Sequence, residues 1–167
     1  KSADVAVGRQ TGLPAIGNVR RPKKIILVSI DALRPDHLGS YGYRRKPSSP
    51  HLDAWAKEAV IFENAYTTGP YTIAAIPGLL TARGISQIPN YIADKGSYRL
   101  ADELKTLPEL LRKMGYKTAA VTSGLDPKGN GFAQGLDNLL VVTKSKNDTA
   151  DSVTRYARHW LKKMGDK

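Results

Sequence analysis

The sequence predicts an α/β fold: a mostly parallel sheet with helices on both of its faces. Three observations carry the prediction. Residues 23–31 are a short β-branched apolar run ending in Asp31, the pattern of a strand buried on both sides. Segments of helical spacing then alternate with further strand-like runs, the order that builds parallel sheets covered by helices. Finally, 167 residues with 41% hydrophobic and 25% charged side chains match one ordinary globular domain with enough apolar material for a core.

Residues 1–22 mix Gly, Pro and charge without periodicity and read as an irregular leader, so the folded domain is expected over 23–167. Its first strand covers 24–30. The Gly- and Pro-dense stretch from Ala32 to Tyr43 is a loop leaving the carboxyl end of that strand, which puts Asp31 where open α/β sheets hold their ligands. Ser49 as N-cap, Pro50 in the first helical position and Leu52, Trp55, Ala56 and Ala59 on one face predict a helix over 50–59. Residues 60–66 alternate weakly, as a short strand does. Gly69-Pro70 marks a turn before a helix over 72–82, although Pro77 and Gly78 penalise interior helical positions by about 3 and 1 kcal/mol. Something other than local propensity must favour that segment. Residues 83–101 read as an exposed connection. Thr106 caps the next helix, with Pro108 in its first turn, an apolar stripe of Leu107, Leu110, Leu111 and Met114, and Gly115 at its end. A strand over 116–122, a Gly-rich loop over 123–135, a strand over 136–143 and a helix over 152–164 complete the alternation.

The absence of cysteine excludes a disulfide scaffold, a thiolate zinc site and a cysteine nucleophile. No apolar run approaches the roughly 18 residues of a membrane span. Twenty-six Lys and Arg against 15 Asp and Glu give a formal charge of +11, which suits an acidic partner: nucleic acid, anionic lipid, or a phosphorylated or sulfated substrate. Basic residues group at Arg20, Arg21, Lys23 and Lys24 and again at Arg44, Arg45 and Lys46. There is no continuous basic helix and no interleaving of aromatic with basic residues, so nucleic acid is not the favoured partner and a solvated basic face is the plainer reading.

Asp31 and Thr72 are the candidate chemical pair. A helix amino end carries about half a positive charge, which stabilises an anion and assists ionisation of a hydroxyl placed there. A carboxylate on an adjacent strand end could hold a divalent cation that activates the same hydroxyl. Each residue also has an ordinary structural role, Asp31 as a loop cap and Thr72 as a helix cap. The three histidines, His37, His51 and His159, form no metal motif; His37, in the loop after Asp31, is the one placed to reach the pair.

Three stretches resemble the sulfatases and related hydrolases of the alkaline phosphatase superfamily. Residues 26–43, Ile-Leu-Val-Ser-Ile-Asp-Ala-Leu-Arg-Pro-Asp-His-Leu-Gly-Ser-Tyr-Gly-Tyr, look like the family's first strand and metal-binding Asp loop, followed by Ser49-Pro50-His51-Leu52-Asp53 in place of Thr-Pro-Asn-Leu-Asp. Thr72 to Thr81 resembles the nucleophile helix, with Leu-Leu-Thr ending nine residues after the nucleophile position. Residues 106–119 and 131–137 resemble the following helix-strand unit and the Gly-Phe-Asp-x-Gly-Phe-Asp segment. The likeness runs over about residues 23–164.

The resemblance implies the N-terminal portion only of an alkaline-phosphatase-like fold, in a metal-dependent hydrolase or transferase acting on phosphate or sulfate esters. It implies Thr72 as the catalytic nucleophile, Asp31 and Thr72 as metal ligands, and Arg34 and His37 near the substrate anion. The implied cofactor is a divalent ion, Ca, Mg, Mn or Zn, not held stably by this chain alone. An anionic ester is the implied substrate, a partner chain or a continuation of the same polypeptide is expected to complete the sheet, and the implied location is extracytoplasmic. Sulfatases carry Cys or Ser in a Cys-x-Pro-x-Arg context that is converted to formylglycine. Here Thr72, Ala74 and Ile76 occupy those positions, and Ala32 stands where a second Asp is usual. Formylglycine cannot arise from threonine; relatives with a threonine nucleophile, such as the lipoteichoic-acid synthases and the phosphatases, work through a phosphothreonine. Two other readings stay open: a catalytically inactive sulfatase-like domain used as a structural or interaction subunit, and an anion or nucleic-acid binding module.

Overall fold

The computed structural model describes residues 21–88, 98–124, 127–142 and 150–164. Residues 1–20 of the 1–22 leader, 89–97 of the 83–101 connection, 125–126 of the Gly-rich loop and Thr143 lie outside the described residues. The chain divides into two units, Lys1–Ser29 with Asp166–Lys167 and Ile30–Gly165.

In the first unit the expected opening strand is not formed. Residues 24–29 enter no ladder, and Ile25, Ile26, Leu27 and Val28 stand 51–73% exposed. A β-branched apolar run favours a pleated, covered surface, but only neighbouring strands and covering helices supply one. The run finds neither among the described residues, and the expected sheet of 24–30 with 116–122 is corrected accordingly.

The second unit holds four helices, α1 Pro50–Ala56, α2 Thr72–Thr81, α3 Leu107–Lys113 and α4 Ala150–Met164, and two strands, β1 Ala119–Ser123 and β2 Asn138–Val142. The strands pair in parallel, Ala119 opposite Asn138 through Ser123 opposite Val142. A latch at their start sets this register. Thr118 donates its backbone N–H to Asp137 Oδ2 at 2.9 Å, while the Asp137 N–H returns to Thr118 O and Oγ1, both at 3.0 Å. α4 packs on β1. It is amphipathic, and Val153, Ala157, Trp160, Leu161 and Met164 are the partly covered apolar residues along it. The described elements are thus α/β with a parallel strand pair, smaller than the expected sheet with helices on both faces. Residues 60–66 also form no strand, with Val60, Phe62 and Tyr66 well exposed.

The core lies against α2 rather than against the sheet. Ile88, Leu100, Leu104 and Phe132 are buried together, with Ile73, Ile76 and Leu80 of α2 packed on them. This corrects the expectation of an exposed connection over 83–101: Leu100 is fully buried, because the apolar stripe of α2 requires cover and this segment supplies it. Gly131 permits the closure, since its left-handed backbone (φ +74°) lies so close that a Cβ would meet Leu100 O at 2.7 Å.

The same packing explains a helix containing Pro77 and Gly78. Pro77 is among the most completely buried side chains, and Gly78 sits where a Cβ would come within 2.2 Å of Thr68 Oγ1. Burial and close approach offset the local penalties. In α3 the expected cap is present as a reciprocal box: the Thr106 N–H donates to Glu109 Oε2 at 2.9 Å and the Glu109 N–H to Thr106 Oγ1 at 3.4 Å. Ser49 precedes α1 as expected but makes no side-chain cap. Its hydroxyl instead donates to the Asp53 carboxylate and accepts the Gly39 N–H, and Asp53 accepts the Ser40 N–H, tying the 39–41 turn to α1.

Candidate active site

Thr72 occupies the first position of α2, whose amino end has no side-chain cap from Tyr71. Its location is set from behind. A Cβ on Gly69 would fall 2.3 Å from Ala74 Cβ, so the turn before the helix lies directly against the first buried residue of α2. Thr68 Oγ1 donates to Ala74 O at 3.2 Å and fixes the same turn. Ile76 packs towards the core and leaves no cation one turn beyond Thr72.

Asp31 is exposed and is followed by Ala32 at φ +55°, a left-handed conformation that costs a non-glycine residue about 1–2 kcal/mol. Across 41 positions of sequence, Thr72 Oγ1 donates to Asp31 Oδ1 at 3.1 Å. The fold therefore brings a carboxylate, a hydroxyl and a helix amino end to one exposed place.

Arg34 and His37 make their contacts elsewhere. Arg34 forms a two-pronged pair with Asp36, Nε to Oδ1 at 3.0 Å and Nη2 to Oδ2 at 2.6 Å. That bond holds the Asp36 carboxyl below the usual carboxylate range and raises the guanidinium of Arg34 further. His37 stacks on Tyr43 with ring centroids 5.0 Å apart. Among the described residues no hydrogen bond or ion pair joins either of them to Asp31 or Thr72. A nearby acid two residues away is a strong local competitor for an arginine, a signal already present in the order Arg34-Pro35-Asp36. Sequence reasoning marked Gly69 as a turn and Gly78 as a helix penalty but missed Thr68 and the packing by which the three seat α2. The Thr68-Gly69-Pro70 run ahead of the helix and a glycine inside it were the trace they left.

Asp31 and Thr72 offer two oxygen donors of the kind that hard cations take, but calcium takes roughly six to eight and magnesium about six. Among the described residues no group of three or more His, Asp or Glu side chains converges to hold a metal. The residues present therefore do not make a cation site by themselves.

The chain belongs to the sulfatase family, whose model matches residues 23–163. It is 33% identical over 117 residues to an N-acetylgalactosamine-6-O-sulfatase of Bacteroides thetaiotaomicron, covering 67% of this chain and 22% of that protein. It is 31% identical over 113 residues to the N-acetylgalactosamine-6-sulfatase of Homo sapiens, covering 60% and 21%. An arylsulfatase of Clostridium perfringens is 43% identical over 63 residues, 38% of this chain and 12% of that protein. The chain thus spans about a fifth of the length of the first two relatives. No solved structure matches it significantly.

Proposed function

We propose that this chain is the nucleophile-bearing part of a sulfatase-like hydrolase or transferase acting on phosphate or sulfate esters, with Thr72 as the nucleophile. The observation that carries the reading is the 3.1 Å bond from Thr72 Oγ1 to Asp31 Oδ1 at the amino end of α2. Asp31, as acceptor, turns the hydroxyl so that its remaining lone pairs point away from the carboxylate. The helix end favours negative charge developing on the hydroxyl and on an ester oxyanion brought to it. Attack by Oγ would form its bond to phosphorus or sulfur as the bond to the ester oxygen breaks, with the Oγ proton taken by Asp31 and passed to the departing oxygen, so that an alcohol leaves. Threonine lacks the chemistry that gives formylglycine, which favours a phosphoryl intermediate. Metal dependence belongs to the reading only with oxygen donors from outside the described residues, and no step is derived through a cation. An extracytoplasmic location goes with it on the family resemblance.

The test is turnover of aryl phosphate and aryl sulfate by the protein that carries this chain, with and without Ca, Mg, Mn and Zn ions, together with mass spectrometry of the peptide containing Thr72. One phosphoryl or sulfuryl group on Thr72, lost with activity in Thr72→Ala, is the expected result. Turnover that survives Thr72→Ala would overturn it. Among the described residues no third ligand converges on Asp31 and Thr72, which favours a second reading, an inactive sulfatase-like domain in a structural or interaction role. Absence of turnover with every cation, in a folded protein, would select that one.

A further inference from the structure

We propose that the hollow at the 39–45 turn is a second anion site, taking an oxyanion ester carried on a flat aromatic ring, a nucleoside monophosphate. The hollow is wide open to solvent, with a volume of about 480 Å³, and is lined by Asp36, Tyr41, Gly42, Tyr43, Arg44 and Arg45. None of these residues takes part in the Asp31–Thr72 contact. Gly42, left-handed at φ +96°, turns the chain so that the Tyr43 N–H reaches Leu38 O at 3.1 Å, which brings the two tyrosines and two arginines around one opening.

The charges and rings in the hollow match such a ligand. Arg44 is steadied through Nη1 on Gly39 O at 3.0 Å, and its Nε and Nη2 donors make no hydrogen bond among the described residues. Arg45 makes no hydrogen bond or ion pair there. The charge of Asp36 is answered by Arg34 at 2.6 Å, so the lining keeps the two positive charges of Arg44 and Arg45. Guanidinium forks bind tetrahedral oxyanions with two parallel bonds and also lie flat on rings. Tyr43 is held in place by its stack on His37 and Tyr41 by its hydroxyl on Phe62 O at 3.0 Å, so both rings are ordered before a ligand arrives. The Arg44-Arg45-Lys46 run is also a basic cluster that the proposed ester chemistry leaves unused.

The test is a titration of the full 167-residue chain, followed by NMR, with glucose 6-phosphate, glucose 6-sulfate and adenosine monophosphate, set against glucose, adenosine and inorganic phosphate. Saturable binding of adenosine monophosphate at least tenfold tighter than inorganic phosphate, adenosine or either sugar ester is expected, with shifts centred on residues 41–45. Sugar esters that bind as tightly as the nucleotide would overturn the flat-ring assignment. Arg44→Ala and Arg45→Ala should each weaken it at least tenfold, and Arg45→Lys should weaken it as well, since the charge stays but the fork is lost. Equal binding of inorganic phosphate, equal weakening by Lys162→Ala with Lys163→Ala, or no saturable binding would overturn the proposal. So would loss of the signal in Thr72→Ala, which would assign the anion to the helix end. Because the readout is binding, a protein silent towards esters leaves this site standing, and failure here leaves the Thr72 reading untouched.

Discussion

At the scale of single residues, Thr72 is separable from the stability of the fold. Its bond to Asp31 is solvent-exposed, and a hydrogen bond of this kind contributes about 1 kcal/mol or less. Thr72→Ala should therefore lower the melting temperature by only a few degrees while removing turnover and the covalent label; a large loss of stability would make the residue a structural one. Asp137 is the opposite case. The backbone N–H of Thr118 bonds its carboxylate, the Thr118 hydroxyl adds to this, and Arg112 lies 3.9 Å away, so its carboxyl is held below the usual range. The unfolded chain then takes up the proton first as pH falls. The contribution is complete above the ordinary carboxylate range and disappears as pH drops through it to the lower folded value. Melting curves from pH 7 to pH 3 should show Asp137→Asn less stable than the parent at neutral pH, the gap narrowing in acid; a gap independent of pH would refute the linkage. Asp31 and Thr72 were legible as positions because each sits at a recognisable boundary, a strand-like run ending and a helix beginning. The partner of Arg34 left a trace in the order Arg34-Pro35-Asp36, but choosing between a substrate anion and that aspartate is a matter of local geometry.

At the scale of elements, α2 decides where Thr72 stands, and Gly78 tests that directly. In an isolated helix, Gly to Ala is worth about 1 kcal/mol of stability. Here the new methyl would meet Thr68 Oγ1 at 2.2 Å and Cγ2 at 2.6 Å, and overpacking of this kind costs about 1–3 kcal/mol. The clash wins, because Thr68 is stiff and bound to Ala74 O. Gly78→Ala should lower the melting temperature, and adding Thr68→Ala should recover part of the loss; a stabilised single variant would show the turn is not packed as described. Thr106→Ala should cost at least the 1–2 kcal/mol of a lost cap, since Thr106 is fully buried and its hydroxyl also donates to Gln134 O at 3.0 Å. An unchanged denaturant midpoint would count against the capping box. Helices were legible to within a few residues because caps, prolines and apolar stripes are local signals. The two C-terminal strands were legible because the Thr118–Asp137 latch and a long loop bring them together. The runs at 24–30 and 60–66 carried the same propensity but found no ladder, and the buried role of Ile88 and Leu100 was hidden in a stretch rich in Gly, Asn and Ser.

At the scale of the whole molecule, α/β class and family were readable, while the extent of the sheet depended on contacts no local pattern encodes. The same fact leads to a prediction about association. Ile25, Ile26, Leu27 and Val28 are consecutive, apolar and 51–73% exposed, without proline or charge among them. A segment of high β-propensity with unpaired backbone groups is a template for pairing with another chain. Burying it is favourable at about 25 cal/mol per Å² of apolar surface, with a new ladder satisfying the open N–H and C=O groups. The charge of +11 opposes association at long range, but salt screens it beyond about 10 Å at 0.1 M. Association of the 167-residue chain should therefore rise with ionic strength, the reverse of what a surface ion-pair interface would do. Ile26→Lys with Val28→Lys should suppress it, leaving the melting transition in place, because the core at Ile88, Leu100, Leu104 and Phe132 lies in the other unit. Sedimentation velocity at two salt concentrations decides it. A monodisperse monomer in the unsubstituted chain at high salt would mean that this apolar run is covered in solution, and the argument from exposure would fall.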